Sequence, residues 1–140
     1  MLAHKGSHEV VTVRPDATVR ELVSMLATHN IGALVVSTDG SSVEGIVSER
    51  DVVRRLGQDE AVLDAPVSAI MSVEVQTCDG HFTVNDLMAL MTTLRIRHVP
   101  VVTDGRLTGI VSIGDVVKSR MSELEFERDQ LDSYVHGSQT

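Results

Sequence analysis

The 140-residue sequence has little cysteine and few aromatic residues: one cysteine, Cys78, and the rings of Phe82, Phe126 and Tyr134. A single cysteine cannot form an intramolecular disulfide, so a reducing compartment is the simplest location. The sequence also lacks any apolar run close to the roughly 20 residues that span a bilayer, and it lacks a secretory signal at its start. These absences predict a cytoplasmic protein that makes no membrane contact.

Positive charge is scarce as well, because 20 acidic residues outnumber 12 Lys and Arg and give a formal net charge of -8. Nucleic-acid-binding proteins usually present clustered basic residues to the phosphates and aromatic rings to the bases. The composition therefore predicts that nucleic acid is not a partner.

Catalytic and metal-binding motifs are also missing. No GxGxxG or Walker A loop is present, and the one approach to a zinc-protease H-E-x-x-H motif begins at His8 but has Thr12 in place of the second histidine. We therefore expect no enzyme activity, no catalytic residues and no metal. Cys78 has no CxxC partner, and a buried structural thiol is the simplest interpretation of it.

The sequence does contain an internal repeat. GIVSERDVV at 45–53 returns as GIVSIGDVV at 109–117, and Thr18-Val19 and Ile31 return as Thr83-Val84 and Ile96. Self-similarity over this distance indicates that one supersecondary unit is used twice. A unit of this size buries little surface alone, so the two copies are expected to pack against each other.

Each copy has the pattern of strand, helix, strand, strand, helix, so the predicted fold class is α/β, of the α+β type. Thr18 and Thr83 precede the first helix of each copy, with Glu21 and Asp86 at capping-box spacing. The predicted strands are 10–13, 33–37 and 43–47 in the first copy and 73–77, 98–102 and 107–111 in the second. The predicted domains are an N-terminal segment 1–7, a first repeat 8–58, a mainly polar linker 59–70, a second repeat 71–120, and a C-terminal helix extension and tail 121–140.

The last helix is predicted to run from about Ile113 to Tyr134 or Val135. Positions 117, 121, 124, 128, 131 and 135 follow the alternating spacing of a coiled-coil seam, which Arg128 interrupts, and acidic residues surround them. Two interpretations remain open: a solvated helix that lies on its own domain, or a contact with another subunit.

The repeated motif contains Ser48-x-x-Asp51 and Ser112-x-x-Asp115 directly after predicted strands. In each, a hydroxyl at the N-cap and a carboxylate three residues later form the acidic variant of a capping box, which requires no ligand. The same junction presents unpaired N–H groups and the positive end of a helix dipole, so it can also hold a phosphate. The carboxylate can accept hydrogen bonds from the two hydroxyls of a ribose, and the two roles are compatible.

Taken together, GIVSERD, GIVSIGD, the segment RHVPVV at 97–102 and the order of elements resemble a tandem pair of cystathionine β-synthase (CBS) domains over roughly 8–120. The segment 95–120 is particularly similar to stand-alone two-domain members of that family. The resemblance implies two three-stranded sheets around a pseudo-twofold axis and two clefts for an adenosine-containing ligand such as AMP, ADP, ATP or NAD. It also implies a homodimer.

The resemblance assigns residues to the two clefts by position. One cleft would contain Ser48, Arg50 and Asp51, with apolar walls near Val75 and Ile96. The other would contain Ser112 and Asp115, with Val10, Ile31 and Gly32. Arg97 and His98 are expected to be phosphate contacts.

The two clefts differ in sequence. Glu49-Arg50 in the first copy corresponds to Ile113-Gly114 in the second, so only the first has a guanidinium that can grip a phosphate there. We therefore predict unequal affinities. The predicted function is a non-catalytic sensor of adenosine-containing ligands, and the alternative is a protein-interaction adaptor that modulates redox or stress-response partners and uses nucleotide only structurally.

Overall fold

The computed structural model describes the backbone of residues 10–137 and the side chains of residues 10–133. The predicted N-terminal segment 1–7, the H-E motif start at His8 and the seam position Val135 therefore lie outside the described residues or side chains. The elements are β1 (Thr12–Val13), α1 (Val19–His29), β2 (Ala33–Val36), β3 (Gly45–Ser48), α2 (Glu49–Leu56), α3 (Val84–Leu94), β4 (His98–Thr103), β5 (Arg106–Ser112) and α4 (Ile113–Gly137).

The first repeat is a three-stranded sheet covered by helices. β1 pairs in parallel with β2, and β2 pairs antiparallel with β3 in a register that sets Ala33 opposite Ser48. Every residue of β2 is buried, as expected for a central strand covered on both faces. Val19, Leu22 and Leu26 of α1 pack into the same core. The strands predicted at 33–37 and 43–47 are confirmed to within two residues at each end.

The second repeat has a two-stranded sheet, β4 paired antiparallel with β5. The ladder contains an irregularity between Val101 and Val102, next to Pro100, which has no N–H to donate to a ladder. Leu87 and Met91 of α3 and Val116 of α4 pack on this sheet and form a second core. The mixed α and β class is confirmed, with α1-β2-β3-α2 in the first repeat matched by α3-β4-β5-α4 in the second.

The prediction of a strand at 73–77 is wrong, and so is the expectation that the second sheet has three strands. Ser72 exchanges two backbone hydrogen bonds with Ile46 of β3, whereas Cys78 forms a single parallel bridge to Val101 of β4. The residues between these bridges cross from one sheet to the other, so their backbone pairs with neither. Val73 is accordingly 70% exposed, because β-propensity alone does not provide a neighbouring strand.

The stretch predicted as a polar linker is folded onto the first repeat. It contains the 3-10 helices Glu60–Asp64 and Val67–Ala69. Val67 and Ile70 are buried in the first core, and the backbone N–H of Val67 donates to the carbonyl of Ala17 at 2.8 Å. The buried apolar residues of this acidic stretch therefore anchor it to the first repeat, directly before residues 73–77, which cross between the sheets.

The caps that delimit α1 and α3 are equivalent in the two repeats. The hydroxyls of Thr18 and Thr83 accept hydrogen bonds from the backbone N–H groups of Glu21 and Asp86, and only Thr83–Asp86 forms a complete capping box. The hydrogen bonds from Thr83 hold the pKa of Asp86 below its ordinary value. α1 and α3 end at Asn30 and Arg95, both in the left-handed region.

Candidate functional site

The first candidate site lies where β3 turns into α2. Asp51 Oδ2 accepts hydrogen bonds from the backbone N–H of Ser48 at 2.8 Å and from the Ser48 hydroxyl at 3.0 Å, and the N–H of Asp51 donates to Ser48 Oγ at 3.3 Å. This is a complete capping box. Both bonds to the carboxylate use Oδ2, so the Oδ1 side is the one that a ligand hydroxyl would approach.

The second candidate site repeats this geometry where β5 turns into α4. Asp115 Oδ2 accepts hydrogen bonds from the N–H and the hydroxyl of Ser112, both at 2.9 Å, and its own N–H donates to Ser112 Oγ at 3.2 Å. All four of these side chains are half-buried at a helix N-terminus. Such a junction combines backbone donors, a hydroxyl and a carboxylate within one helical turn, which suits an anion and a diol together.

A backbone hydrogen bond joins each junction to the start of the neighbouring strand. The N–H of Glu49 donates to the carbonyl of Gly32 at 2.9 Å, and the N–H of Ile113 donates to the carbonyl of Arg97 at 2.8 Å. Gly32 and Arg97 are therefore structural equivalents. Each lies immediately before the strand that pairs with the junction strand, one residue after the repeated Ile31 and Ile96.

Gly32 also brings the two repeats together. A Cβ atom built on Gly32 would lie 3.5 Å from Nε2 of His98 and 3.6 Å from Oε1 of Glu49. His98 is half-buried, whereas Arg97 is exposed. The structure thus brings a backbone position of the first repeat close to an imidazole of the second.

The junctions differ in charge, as their sequences indicate. Arg50 is exposed at the second position of α2, and its counterpart Gly114 has no side chain; a Cβ there would meet only Ser112 Oγ, at 3.6 Å. The first junction can therefore supply a guanidinium to an anion, and the second can supply only its hydroxyl and backbone donors at the same point.

The predicted apolar walls occupy different environments. Val10 and Val75 are half-buried, the first ahead of β1 and the second in the segment that crosses between the sheets. Ile96 is half-buried and packs against the second core, whereas Ile31 is 38% exposed before β2.

An open depression extends along the first half of α4. It begins at Arg97 and Gly114. It continues over apolar and charged side chains that the sequence analysis assigns to neither cleft: Ile113, Val117, Lys118, Met121, Ser122 and Glu125. The coiled-coil spacing of the sequence already indicated this surface, because positions 117 and 121 belong to the predicted seam.

Cys78 lies away from these junctions and is buried at 4% exposure. Burial, with a smaller contribution from the charge of Asp79, raises the pKa of its thiol to about 11. A thiol with this pKa is almost fully protonated at neutral pH, which fits a structural role.

Within residues 10–137, no cluster of three or more His, Cys, Asp or Glu side chains is arranged to hold a metal ion. Over that same part of the chain, none of the helices combines the length and apolar character needed to cross a bilayer.

Comparison with known sequences agrees with the repeat. The family model of the CBS domain matches residues 6–58 and 67–122. The CBS domain-containing protein CBSX3, mitochondrial, of Arabidopsis thaliana is 39% identical over 127 residues, which cover 87% of this chain and 62% of that protein. The CBS domain-containing protein YhcV of Bacillus subtilis is 33% identical over 114 residues, 81% of each chain.

Comparison with solved structures gives the same result. The crystal structure of the CBS-domain containing protein ATU1752 from Agrobacterium tumefaciens matches with a TM-score of 0.80 and 46% identity, covering 85% of this chain and 95% of that one. A twofold match of the family model, a stand-alone structural relative and the repeated junction geometry agree. The chain therefore belongs to the CBS domain family, and it contains a tandem pair of these domains.

Proposed function

We propose that this protein is a sensor that binds an adenosine-containing ligand between its two repeats and transmits occupancy to a partner, without catalysis of its own. Proteins built on CBS pairs are regulatory, ligand-binding modules. The observation that carries the proposal for this chain is the pair of Ser–Asp junctions, in which hydroxyl, carboxylate and helix N-terminus coincide twice.

The chemistry of these junctions fits the two polar parts of a nucleotide. A phosphate would accept hydrogen bonds from the helix N-terminus and from the hydroxyl of Ser48 or Ser112, which would turn from its Asp carboxylate to the ligand. A ribose would donate its vicinal hydroxyls to Asp51 or Asp115. Arg50, Arg97 and His98 would contribute positive or neutral donors to the phosphate, and the walls for the adenine would come from Val75 and Ile96 or from Val10, Ile31 and Gly32.

A structural neighbour supports this class of ligand. The CBS domain pair of protein MJ0100 was crystallised in complex with 5′-methylthioadenosine and S-adenosyl-L-methionine, and its fold matches with a TM-score of 0.73 at 24% identity. At this identity the two proteins share a fold, which does not identify the ligand of this chain. We would identify that ligand with AMP, ADP, ATP and NAD as probes, because each contains adenosine.

Regulation requires the ligand to bind two conformations with different affinity. A cleft between two repeats meets this requirement in principle, because a ligand that bridges the repeats favours one angle between them. We infer that the change is passed to a second copy of the chain or to another protein, and we retain the cytoplasm as the predicted location.

Isothermal titration of the protein with AMP, ATP and NAD tests the proposal. Asp51→Asn and Asp115→Asn should each weaken binding at the altered junction by roughly 10- to 150-fold, because each removes an interaction of about 1.5 to 3 kcal/mol. Asp86→Asn is the matched control, since it alters the capping box of α3 at Thr83, away from both junctions.

The outcomes separate the candidate functions. Weaker binding in the junction variants with unchanged binding in Asp86→Asn supports the sensor. No binding of any of the probes by the unaltered protein would overturn it and would favour the adaptor. Turnover of ATP by the pure protein would contradict the absence of catalysis.

A further inference from the structure

One face of α4 carries exposed apolar side chains at coiled-coil spacing. We call this face the seam and define it by Val117, Met121, Leu124, Arg128 and Leu131. The apolar members are between 47% and 64% exposed. A row of alternating four- and three-residue spacing is the pattern that a partner helix covers.

The protein's own second repeat does not cover the seam, because α4 contacts that repeat through another face. Val116 is 1% exposed, and Ser119, Arg120 and Glu123 on the following turns are half-buried. Every described side chain from position 124 to 133 is exposed. Since isolated helical turns are marginal in water, this part of α4 would gain stability if a partner covered its apolar face.

The charges beside the seam identify the partner. Near the start of the seam lie Lys118 and Arg120, and Arg97 borders the depression there. Further along, the positions that flank the seam carry Glu125, Glu127 and Asp132. The face is therefore basic at one end and acidic at the other, which makes it complementary to itself when one copy is reversed.

We propose that the seam binds the seam of a second copy of this chain in the antiparallel orientation. The acidic end of one α4 then lies on the basic end of the other, over the depression that begins at Arg97. In the parallel orientation, Arg128 would face Arg128 of the second copy and Glu127 would face Asp132 of the second copy, and these repulsions would outnumber the attraction between Arg120 and Glu125 of the second copy.

The spacing of the seam also sets the register. In an antiparallel pair, Met121 packs against Leu131 of the second copy, and Leu124 packs against Arg128 of the second copy. The aliphatic stem of Arg128 covers Leu124, and its guanidinium reaches the carboxylates of Glu125 and Glu127 on the second copy. The single polar seam residue thus has partners in this orientation.

The first experiment measures the mass of the full chain by sedimentation equilibrium across micromolar concentrations. We expect a dimer, and we expect Leu124→Lys to raise its dissociation constant by at least about tenfold. Phe126→Lys is the matched control, because Phe126 is also an exposed apolar residue but lies on the opposite face of the same helix. Circular dichroism melts verify that both variants are folded.

Three results would overturn the proposal: a monomeric unaltered protein, a Leu124→Lys protein that dimerises like the unaltered one, or equal losses in the two variants. The seam interface rests on the second copy of the chain named in the proposed function. The seam and the nucleotide clefts can nevertheless fail their tests separately. A dimer that survives Leu124→Lys refutes the seam alone, and nucleotide titration of the same variant reports on the clefts, which contain none of the seam residues.

The second experiment fixes the orientation. In a Cys78→Ser background, Met121→Cys and Leu131→Cys proteins are mixed and treated with oxidised glutathione, and the disulfide products are identified by intact mass. The antiparallel register predicts that the mixed product, which joins position 121 to position 131, predominates. Predominant self-crosslinking of each variant would indicate parallel helices and overturn the proposal.

Discussion

Gly32 of the first repeat lies against the imidazole of His98 in the second, with 3.5 Å between the position of a Cβ on Gly32 and Nε2 of His98. The residues at the corresponding positions of the other repeat are Arg97 and Ala33, a long cation and a methyl group. A duplicated backbone therefore carries unlike side chains at the point where the repeats meet. This inequality is the structural basis for the expectation that the two clefts bind with different affinities.

Substitutions at Gly32 test this relationship. A Cβ at Gly32 makes only ordinary van der Waals contacts, so Gly32→Ala should change the free energy of unfolding by no more than about 0.5 kcal/mol. Gly32→Arg copies the second repeat and must displace His98 or Glu49, so it should weaken nucleotide binding roughly tenfold or more. Thermal melts measure the stability of Gly32→Ala, and titration with AMP measures the affinity of Gly32→Arg. An unchanged affinity in Gly32→Arg would contradict the assignment of Gly32 to a cleft.

The glycines that begin GIVS in the two repeats should respond differently to alanine. A Cβ on Gly45 would lie 2.8 Å from the carbonyl oxygen of Ser72, a residue whose carbonyl and N–H each form a backbone hydrogen bond with Ile46. A Cβ on Gly109 would meet nothing closer than 3.9 Å. Gly45→Ala should therefore cost about 1 to 3 kcal/mol, the range for overpacking, and Gly109→Ala much less.

Urea unfolding of the two alanine variants measures this difference directly. Each variant serves as the control for the other, because the same atom is added to the same motif. Equal midpoints would mean that the close approach at Gly45 carries no structural constraint.

The Cys78 thiol should react slowly in the folded protein. Burial raises its pKa to about 11, so only a small fraction is thiolate at pH 8, and the side chain is also shielded from reagents. A chromogenic disulfide reagent should label the native protein far more slowly than the protein in urea. Rapid stoichiometric labelling of the native protein would instead indicate a reactive, redox-active cysteine.

The same shift predicts a pH dependence of stability. The folded thiol keeps its proton at pH values where the unfolded thiol, with an ordinary pKa of 9.0, has lost it. Stability from this group is therefore fully present below about pH 9 and is lost as the pH rises toward about 11. Urea midpoints of the unaltered protein should fall more steeply over this range than those of Cys78→Ala, and parallel curves would contradict the shift.

Sequence patterns predicted those parts of the fold in which local and tertiary preferences agree. The helices α1 and α3 begin at Thr18 and Thr83 because hydroxyls there accept N–H groups that would otherwise have no partner. The seam positions of α4 were predicted from spacing alone, and the helix extends to Gly137 as the pattern required.

The failures arose where a tertiary partner decides the outcome. Residues 73–77 have strand-like side chains, but the bridges at Ser72 and Cys78 belong to different sheets, and no local pattern reveals that separation. Val67 and Ile70 belong to the first core although acidic residues and Pro66 precede them. The contact between Gly32 and His98 joins distant parts of the chain, so residue type alone could not predict its distance.

The most direct test of the central claim is mass spectrometry of the small molecules released when the purified, folded protein is denatured. We expect an adenosine-containing compound from the unaltered protein and from Asp86→Asn, and less of it from Asp51→Asn or Asp115→Asn. Release of no adenosine-containing compound, together with no heat on titration with AMP, ATP or NAD, would contradict the assignment of these junctions as ligand sites.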